Sequence, residues 1–231
     1  MDKLKRYFKN YYVLNDINGI LFWDNATNLP PKSIESRSEQ MSILAEYIDK
    51  ELRDQNIIEE INLNKAKNLN DHDKKNLLLM ENIVIKENAV DVELKSQLIK
   101  KKLKCEHLWR EAREKNDVSL IEKDFDELLL LVHEEANQLS KPLNLSPYDA
   151  LISNYDRDYN SNKIDSLFEV IKSDIIPQYQ NLEKIDNPTI SKTNLSKDKI
   201  FEKTNQKLKE LGFNFDYGRI DQSIHPFCGG A

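Results

Sequence analysis

Residues 21–44, LFWDNATNLPPKSIESRSEQMSIL, join two helical patterns across a pair of prolines. Pro30 and Pro31 cannot continue a helix from its N-terminal side, because they lack an amide hydrogen and their rings clash with the preceding turn. Upstream, apolar residues recur every three or four positions and predict one helix that ends at about Asn25. They are Leu4, Tyr7, Tyr11, Leu14, Ile17 and Leu21. Downstream, a second helix should bury Met41, Leu44, Ile48 and Leu52.

Helical patterns continue through the middle of the chain. A third helix should begin with Asp71 as its cap, and a fourth should cover 92–115. Ser119 and Glu122 have the spacing of a capping box, which predicts the start of a fifth helix. Its core-facing residues should be Phe125, Leu128, Leu129, Val132, Ala136 and Leu139.

Prolines and polar residues then divide the chain. Pro142 and Pro147 should end the fifth helix, and 155–162 should form a loop. A helical period resumes beyond that loop and should break or kink near Pro177. Its apolar residues are Ile164, Leu167, Phe168 and Ile171.

The rarity of glycine supports an all-α fold. Only Gly19 among the five glycines lies before residue 211, so most of the chain does not need a left-handed turn conformation. A polar connector over 184–196 should lead to a last helix over 197–211. Beyond Gly212 the pattern alternates and predicts a short strand or loop segment at the C-terminus. We therefore expect one helical domain over residues 1–231.

Composition excludes several classes of protein. The 231 residues carry a formal net charge of -6, and such a chain lacks the positive field that a general nucleic-acid binder needs. No stretch approaches the roughly 20 apolar residues that span a bilayer. Cys105 and Cys228 are too few and too far apart for a secreted disulfide framework, which favours a cytoplasmic protein.

The segment HEEAN at 133–137 differs by one residue from the zinc motif HExxH, in which two histidines share a helix face. Asn137 stands where the second imidazole is needed, and a neutral amide is a poor zinc ligand. We therefore interpret His133 as a histidine at the edge of a solvated face. The four histidines are also too far apart along the chain to form a local metal-binding pair.

Two further possibilities involve the unusual C-terminal segment DQSIHPFCGGA, residues 221–231. A tetrahedral zinc site would need ligands from two separate places, namely Cys105, His107, His225 and Cys228. Alternatively, Cys228 would act as a nucleophile with His225 as its base, although nothing nearby in sequence supplies an orienting acid or an oxyanion hole.

Four blocks in order resemble the carboxypeptidase Taq family of thermostable metallocarboxypeptidases. The first is the 21–44 stretch, through Trp23, Asp24, Thr27, Pro30, Pro31, Arg37 and Gln40. The second, LWREAREKNDVSL, is similar through Trp109, Ala112, Arg113, Asn116 and Asp117. SPYDALISNYD at 146–156 and LGFNFDYGRIDQSIHPFCGG at 211–230 resemble the third and fourth. The departures concern packing positions, Leu29 and Val118.

The resemblance implies an almost wholly helical enzyme of about twice this length, usually a homodimer in the cytoplasm, whose long helices form a deep groove. It implies release of single amino acids from peptide C-termini with a divalent metal, zinc or cobalt. In the family the HExxH motif and the other metal ligands follow the His-Pro-Phe motif, and this sequence does not contain them. Only His225, Pro226 and Phe227 carry over, as substrate-binding residues; His225 either donates to the substrate or holds the turn.

These expectations lead to two main hypotheses. In the first, the chain is the N-terminal portion of a metallocarboxypeptidase and forms one wall of its groove. It has no catalytic residue or metal of its own, and it is inactive without a separate C-terminal chain. In the second, it is a non-catalytic helical module that binds peptides or a partner through the inherited groove. A zinc-stabilised protein using the two cysteines is a third hypothesis.

Overall fold

The computed structural model describes residues 1–180 and 195–223, and within these ranges the chain is predominantly helical, without strands. The α-helices of this part are α1 (Asp2–Thr27), α2 (Ile34–Arg53), α3 (Gln55–Lys65), α4 (Asp71–Ala89), α5 (Val92–Lys115), α6 (Glu122–Leu143), α7 (Pro147–Ile152), α8 (Ser161–Gln180) and α9 (Lys197–Glu210). The predicted all-α fold class is confirmed. None of these helices is long and apolar enough to cross a membrane.

The start of α4 lies one residue from its predicted cap, and α3 was not predicted. Asn70 is the N-cap of α4, because its side-chain oxygen accepts a hydrogen bond from the amide of Asp73 at 2.8 Å. Asp54 caps α3 in the same way, accepting from the amide of Asn56 at 2.9 Å. Asp54 also separates α3 from α2, since it adopts an extended conformation with ψ of 123°.

The predicted capping box at the start of α6 is wrong. Ile121 is the N-cap residue and makes no side-chain capping bond. Asp117 instead accepts hydrogen bonds from the amide and the hydroxyl of Ser119, at 3.0 and 2.7 Å. These bonds belong to a separate 3₁₀ turn over Val118–Leu120. Ser119 therefore lies in that turn, before the helix, and does not cap α6.

The end of α6 also differs from the prediction. Pro142 lies inside the helix, which continues to Leu143 and ends at Asn144 in the left-handed conformation with φ of 52°. Pro147 begins α7 rather than ending α6. Among the predicted core residues of α6, Ala136 and Leu139 are buried, Leu128 and Val132 are half-buried, and Phe125 and Leu129 are exposed.

The described residues form two compact units, Met1–Ile164, to which Ser223 also belongs, and Asp165–Gln222. In the first unit, α2 packs against α1, α4 and α5, and α6 packs against α4, α5 and α7. One apolar cluster of this unit contains Leu4, Phe8, Leu52, Ile57, Ile61, Leu77 and Val84. A second cluster contains Val90, Leu94, Leu98, Leu139 and Ala150.

The second unit contains the rest of α8, helix α9 and the segment that follows it. That segment, predicted as a strand or a loop, forms turns and irregular backbone as far as Gln222. It begins at Gly212, whose φ of 92° favours glycine. Most of the polar connector over 184–196 lies outside the described residues. One domain over 1–231 remains a prediction.

A buried ionic network joins α2, α4 and α5 in the first unit. The Asp49 side chain is only 3% exposed, and it accepts hydrogen bonds from Arg53 and from the Lys95 ammonium, the latter at 2.7 Å. Lys95 also donates to the Glu87 carboxylate at 2.7 Å. Arg53 donates to the backbone oxygen of Val90 at 2.6 Å and so satisfies the end of α4.

A second, more accessible cluster gives a pH-dependent prediction. The Lys101 ammonium donates to Asp124 at 2.8 Å and to Glu127 at 2.5 Å. The hydrogen bonds from Lys101, and for Asp124 also from Lys104, lower the pKa values of both carboxyls. The same bonds raise the pKa of Lys101 to about 12.

We expect Lys101→Met to lower the free energy of unfolding by about 1 kcal/mol near neutral pH. The lowered pKa values of the two carboxyls mean that they stabilise the fold at any pH above the pKa they have in the unfolded chain. This stabilisation is lost as the pH falls through the lower pKa they have in the folded protein. The raised lysine pKa stabilises below its unfolded value and loses its effect as pH rises through about 12. Urea unfolding should therefore show a difference that shrinks towards both pH extremes. Lys102→Met, at a more exposed lysine, is the control; an equal loss there would contradict the assignment.

Candidate functional site

A cavity of about 780 Å³ lies in the first unit, between the end of α1, the Pro-Pro turn and α5. Its apolar lining consists of Leu29, Pro30, Pro31, Ile34, Leu103 and the Trp109 indole. Its polar lining consists of Asn25, Thr27, Glu106, His107, Arg110, Glu111, Arg113 and Glu114. The volume is in the range of small-ligand and peptide side-chain sites.

The end of α1 is shaped by the residues that precede the prolines. The Thr27 hydroxyl donates to the backbone oxygen of Trp23 at 2.7 Å. The amides of Asn28 and Leu29 both donate to the backbone oxygen of Asp24, at 2.9 and 2.8 Å. These bonds complete the last turn, so the chain leaves α1 in one defined direction before the prolines.

Arg37 fixes the start of α2 against the end of α1. Its guanidinium is buried and donates to the backbone oxygen of Leu21 at 2.6 Å and to the Asp24 carboxylate at 2.6 Å. A third bond, at 3.1 Å, goes to the side chain of Gln40. Because the guanidinium is planar and has five donors, one side chain can hold three groups in fixed positions. Arg37 therefore sets the angle between the two helices at the cavity.

A second polar link joins α1 to α5. Asn25 is 4% exposed, and its side-chain amide donates to the Glu106 carboxylate at 3.2 Å. Glu106 also forms an ion pair with Arg110, one turn further along α5. Arg110 in turn donates to the backbone oxygen of Asn25 at 3.5 Å. This closed set of bonds holds both walls of the cavity at a fixed separation.

The sequence analysis did not identify Asn25, Glu106 and Arg110 as site residues. Two features of the sequence indicate them in retrospect. Asn25 is a polar residue at the next position of the apolar stripe of α1, and Glu106 and Arg110 are an acid and a base spaced four apart on α5. Their contact joins residues 81 positions apart, which local patterns cannot show.

The cavity lining carries charges of both signs around an aromatic side chain. The guanidinium of Arg113 lies 5.6 Å from the centre of the Trp109 ring, in a cation–π arrangement. Lys115 donates to Glu111 at 2.6 Å and lowers the pKa of that carboxyl, which keeps it ionised. The lining can therefore bind polar and charged groups as well as apolar ones.

The first two blocks of the family resemblance meet at this cavity. Thr27 and the two prolines come from the first block, and Trp109 and Arg113 come from the second. The third block forms α7, capped by Ser146, and the carboxylate of Asp149 accepts from the amide of Ser161 at 2.7 Å. That bond, with help from Ser146, lowers the pKa of Asp149.

The residues predicted for substrate binding and for a zinc site fall into two groups, those outside the described residues and those within them. His225, Pro226 and Phe227 lie outside the described residues, as does Cys228, so their predicted roles stay predictions. Two proposed zinc ligands, Cys105 and His107, are described: Cys105 is buried, and its pKa is raised by that burial, while His107 lines the cavity.

Most of the HEEAN segment lies on the outer surface of α6, and only Ala136 is buried. His133, Glu134 and Asn137 are exposed there, which confirms the interpretation of a solvated helix face. Over residues 1–180 and 195–223, no group of three or more His, Cys, Asp and Glu side chains could hold a metal ion. The described residues therefore do not fit a metal centre, and we derive no catalytic step through one.

The fold is that of helical metallocarboxypeptidases. The solved structure of the Pyrococcus furiosus carboxypeptidase superimposes with a TM-score of 0.77 and 21% identity, covering 98% of this chain and 46% of that chain. Trypanosoma cruzi metallocarboxypeptidase 1 superimposes with a TM-score of 0.74 and 24% identity, covering 99% and 47%.

The sequence profile of the carboxypeptidase Taq (M32) metallopeptidase family matches residues 3–231, and the chain belongs to this family. Carboxypeptidase 1 of Bacillus subtilis is 27% identical over 90% of this chain and 42% of its own length. Thermostable carboxypeptidase 1 of Pyrococcus furiosus is 25% identical, over 95% and 45%. The chain thus spans somewhat less than half the length of these relatives.

Proposed function

We propose that this chain is the N-terminal portion of a metal-dependent carboxypeptidase that releases single amino acids from peptide C-termini. The observation that carries the proposal is the cavity at which two family-like blocks, 21–44 and 108–120, form one surface. Arg37 and the Asn25–Glu106–Arg110 set hold that surface in place. Rigid walls that position a substrate favour catalysis even when they supply no reacting group.

In this proposal the chain binds and orients the peptide. The apolar part of the lining, which includes Pro30, Pro31 and Trp109, receives a peptide side chain, and the charged part binds the peptide backbone or polar side chains. His225, Pro226 and Phe227 would continue the same substrate groove. The metal, zinc or cobalt, and the general base belong to the part of the family fold that this sequence does not contain.

Location and assembly follow the family resemblance. We place the protein in the cytoplasm and propose that the complete enzyme forms a homodimer. The chain's own substrate-binding role would be the same in a single-polypeptide or a two-chain enzyme, because the cavity is formed within residues 1–164.

The purified chain, mixed with a zinc or cobalt salt and an N-blocked dipeptide, should release no C-terminal amino acid above the rate of a metal-only control. The reason is that the residues described around the cavity provide no metal-ligand set. Amino-acid release should be followed by chromatography, and bound metal by elemental analysis of the same sample. Sustained turnover by the chain alone, with stoichiometric metal, would contradict the proposal.

A non-catalytic peptide- or partner-binding module is the second candidate function. It is favoured by large apolar side chains that are exposed in the described residues, among them Ile20 at 64% and Leu130 at 70%. The test measures peptide binding by calorimetry and turnover after the rest of the family fold is added. Binding without any gain of turnover would favour this module over the carboxypeptidase.

A further inference from the structure

Lys86, on α4, is a half-buried lysine that has no carboxylate partner among the described residues. Its ammonium donates to the backbone oxygen of Ser153, just beyond the end of α7. Two comparable lysines of the same unit differ from it. Lys95 and Lys101, whose side chains are 18% and 20% exposed, each form ion pairs with two carboxylates. The charge of Lys86 is therefore balanced only by a neutral carbonyl, and two of its three N–H donors remain available.

A second cation, Arg157, follows Ser153 by four residues, in the turn after α7. Its side chain is 23% exposed, and its Nη1 atom is buried without a hydrogen-bond acceptor within residues 1–180 and 195–223. The ion pair of Arg157 joins Nε to the Asp158 carboxylate at 3.5 Å, and that carboxylate is 73% exposed. A buried N–H without an acceptor is unfavourable, so Nη1 lacks a partner that the described part of the fold does not provide.

The two cations are close enough to influence each other. Burial and the charge of Arg157 lower the pKa of Lys86. The pKa of Lys101, in contrast, is raised by its hydrogen bonds to Asp124 and Glu127. Two like charges in a partly buried place repel each other, and an anion bound to both would remove the repulsion and give Nη1 its acceptor.

We propose that Lys86 and Arg157 form a binding site for a small oxyanion, either free phosphate or the phosphate group of a small molecule. A guanidinium matches the oxygens of phosphate in geometry, and an ammonium adds a point charge with free donors. A phosphate group carries up to two negative charges near neutral pH and can therefore balance both cations. The bound anion would link α4 to the turn after α7. Neither residue lines the cavity described above, so this inference does not rest on the proposed function.

The test measures the binding of radiolabelled phosphate to the full chain by equilibrium dialysis, at an ionic strength held constant with chloride. Lys86→Gln and Arg157→Gln each remove one cation from the site. Lys75→Gln removes an exposed lysine from the same helix and is the matched control. Circular dichroism verifies the helix content of each variant. Methyl phosphate is added as a competitor, because it distinguishes a site for phosphate groups from a site for the free ion.

We expect the unmodified chain and Lys75→Gln to bind phosphate with a Kd of about 1 mM, and each site variant to bind it at least about tenfold more weakly. Competition by methyl phosphate would assign the site to phosphate groups of small molecules, and saturable binding without such competition would assign it to the free ion. No saturable binding, or equal weakening by Lys75→Gln and Arg157→Gln, would overturn the inference.

Thermal unfolding separates this role from a purely structural one. At a phosphate concentration of ten times the Kd, the unfolding midpoint of the unmodified chain should rise by about 3 °C, and that of Arg157→Gln by less than about 1 °C. Without phosphate, Arg157→Gln should not lower the midpoint, because it removes a cation close to Lys86. A midpoint that falls without phosphate and still rises fully with phosphate would show that Arg157 only pairs with Asp158, and would also overturn the inference.

Discussion

Replacing Asp49 by alanine should lower the free energy of unfolding by about 3–5 kcal/mol, the largest effect that we predict for a single substitution. The Asp49 carboxylate is 3% exposed and pairs with both Arg53 and Lys95. Its removal leaves two cations in a largely buried position with fewer acceptors. Only the Glu87 carboxylate then remains to balance the two cations, and the cost of this incomplete compensation adds to the loss of the hydrogen bonds.

Two further substitutions make this prediction specific. Asp49→Asn keeps the shape but removes the charge, and should give a smaller loss than Asp49→Ala. Glu46→Ala removes an exposed carboxylate from the same helix and should change the stability by less than about 0.5 kcal/mol. Urea unfolding followed by circular dichroism measures all three. Equal stabilities of Asp49→Ala and Glu46→Ala would show that the network does not stabilise the fold.

The second large effect is expected at Arg37, where alanine should cost about 2–3 kcal/mol. The substitution removes a buried guanidinium that bonds the backbone of Leu21, the carboxylate of Asp24 and the side chain of Gln40. The expected loss is smaller than at Asp49, because the Asp24 carboxylate is 37% exposed and can bind water instead.

Arg37→Lys is the matched control, since it keeps the positive charge but cannot reproduce the planar three-way geometry. It should recover less than half of the stability that alanine loses. The same variants should also change the tryptophan fluorescence, to which Trp23 beside Asp24 and Trp109 in the cavity both contribute, before global unfolding, because Arg37 sets the helix angle at the cavity. Full recovery by lysine would show that charge alone, rather than the geometry of the guanidinium, holds the two helices.

Local features of the sequence predicted most of the helices. The Pro30–Pro31 pair ends a helical pattern regardless of its surroundings, and the predicted helix over 92–115 coincides with α5. Failures occurred where two neighbouring residues compete for one role, as with Asn70 and Asp71 at the start of α4. Helix α3 was missed because the pattern gave no break at Asp54, which acts through its side chain and backbone conformation.

The candidate site was only partly predictable, because it depends on contacts between distant residues. The family-like blocks identified Thr27, Pro30 and Trp109, but the link from Asn25 to Glu106 spans 81 positions. The link from Asp49 to Lys95 spans 46 positions. Such pairs form only when the helices have packed, so a period or a spacing can mark one partner on its own helix but does not identify the distant residue that it contacts.

The central claim is that this chain provides a substrate-binding wall and that the remaining portion of the family fold provides the metal chemistry. The most direct measurement is kcat/KM for an N-blocked dipeptide, with zinc or cobalt, for the chain, for a polypeptide that carries the remaining portion of the family fold, and for the two combined. We expect turnover only in the combination, at a rate that Arg37→Ala reduces. Turnover by either component alone, equal to that of the combination, would contradict the claim.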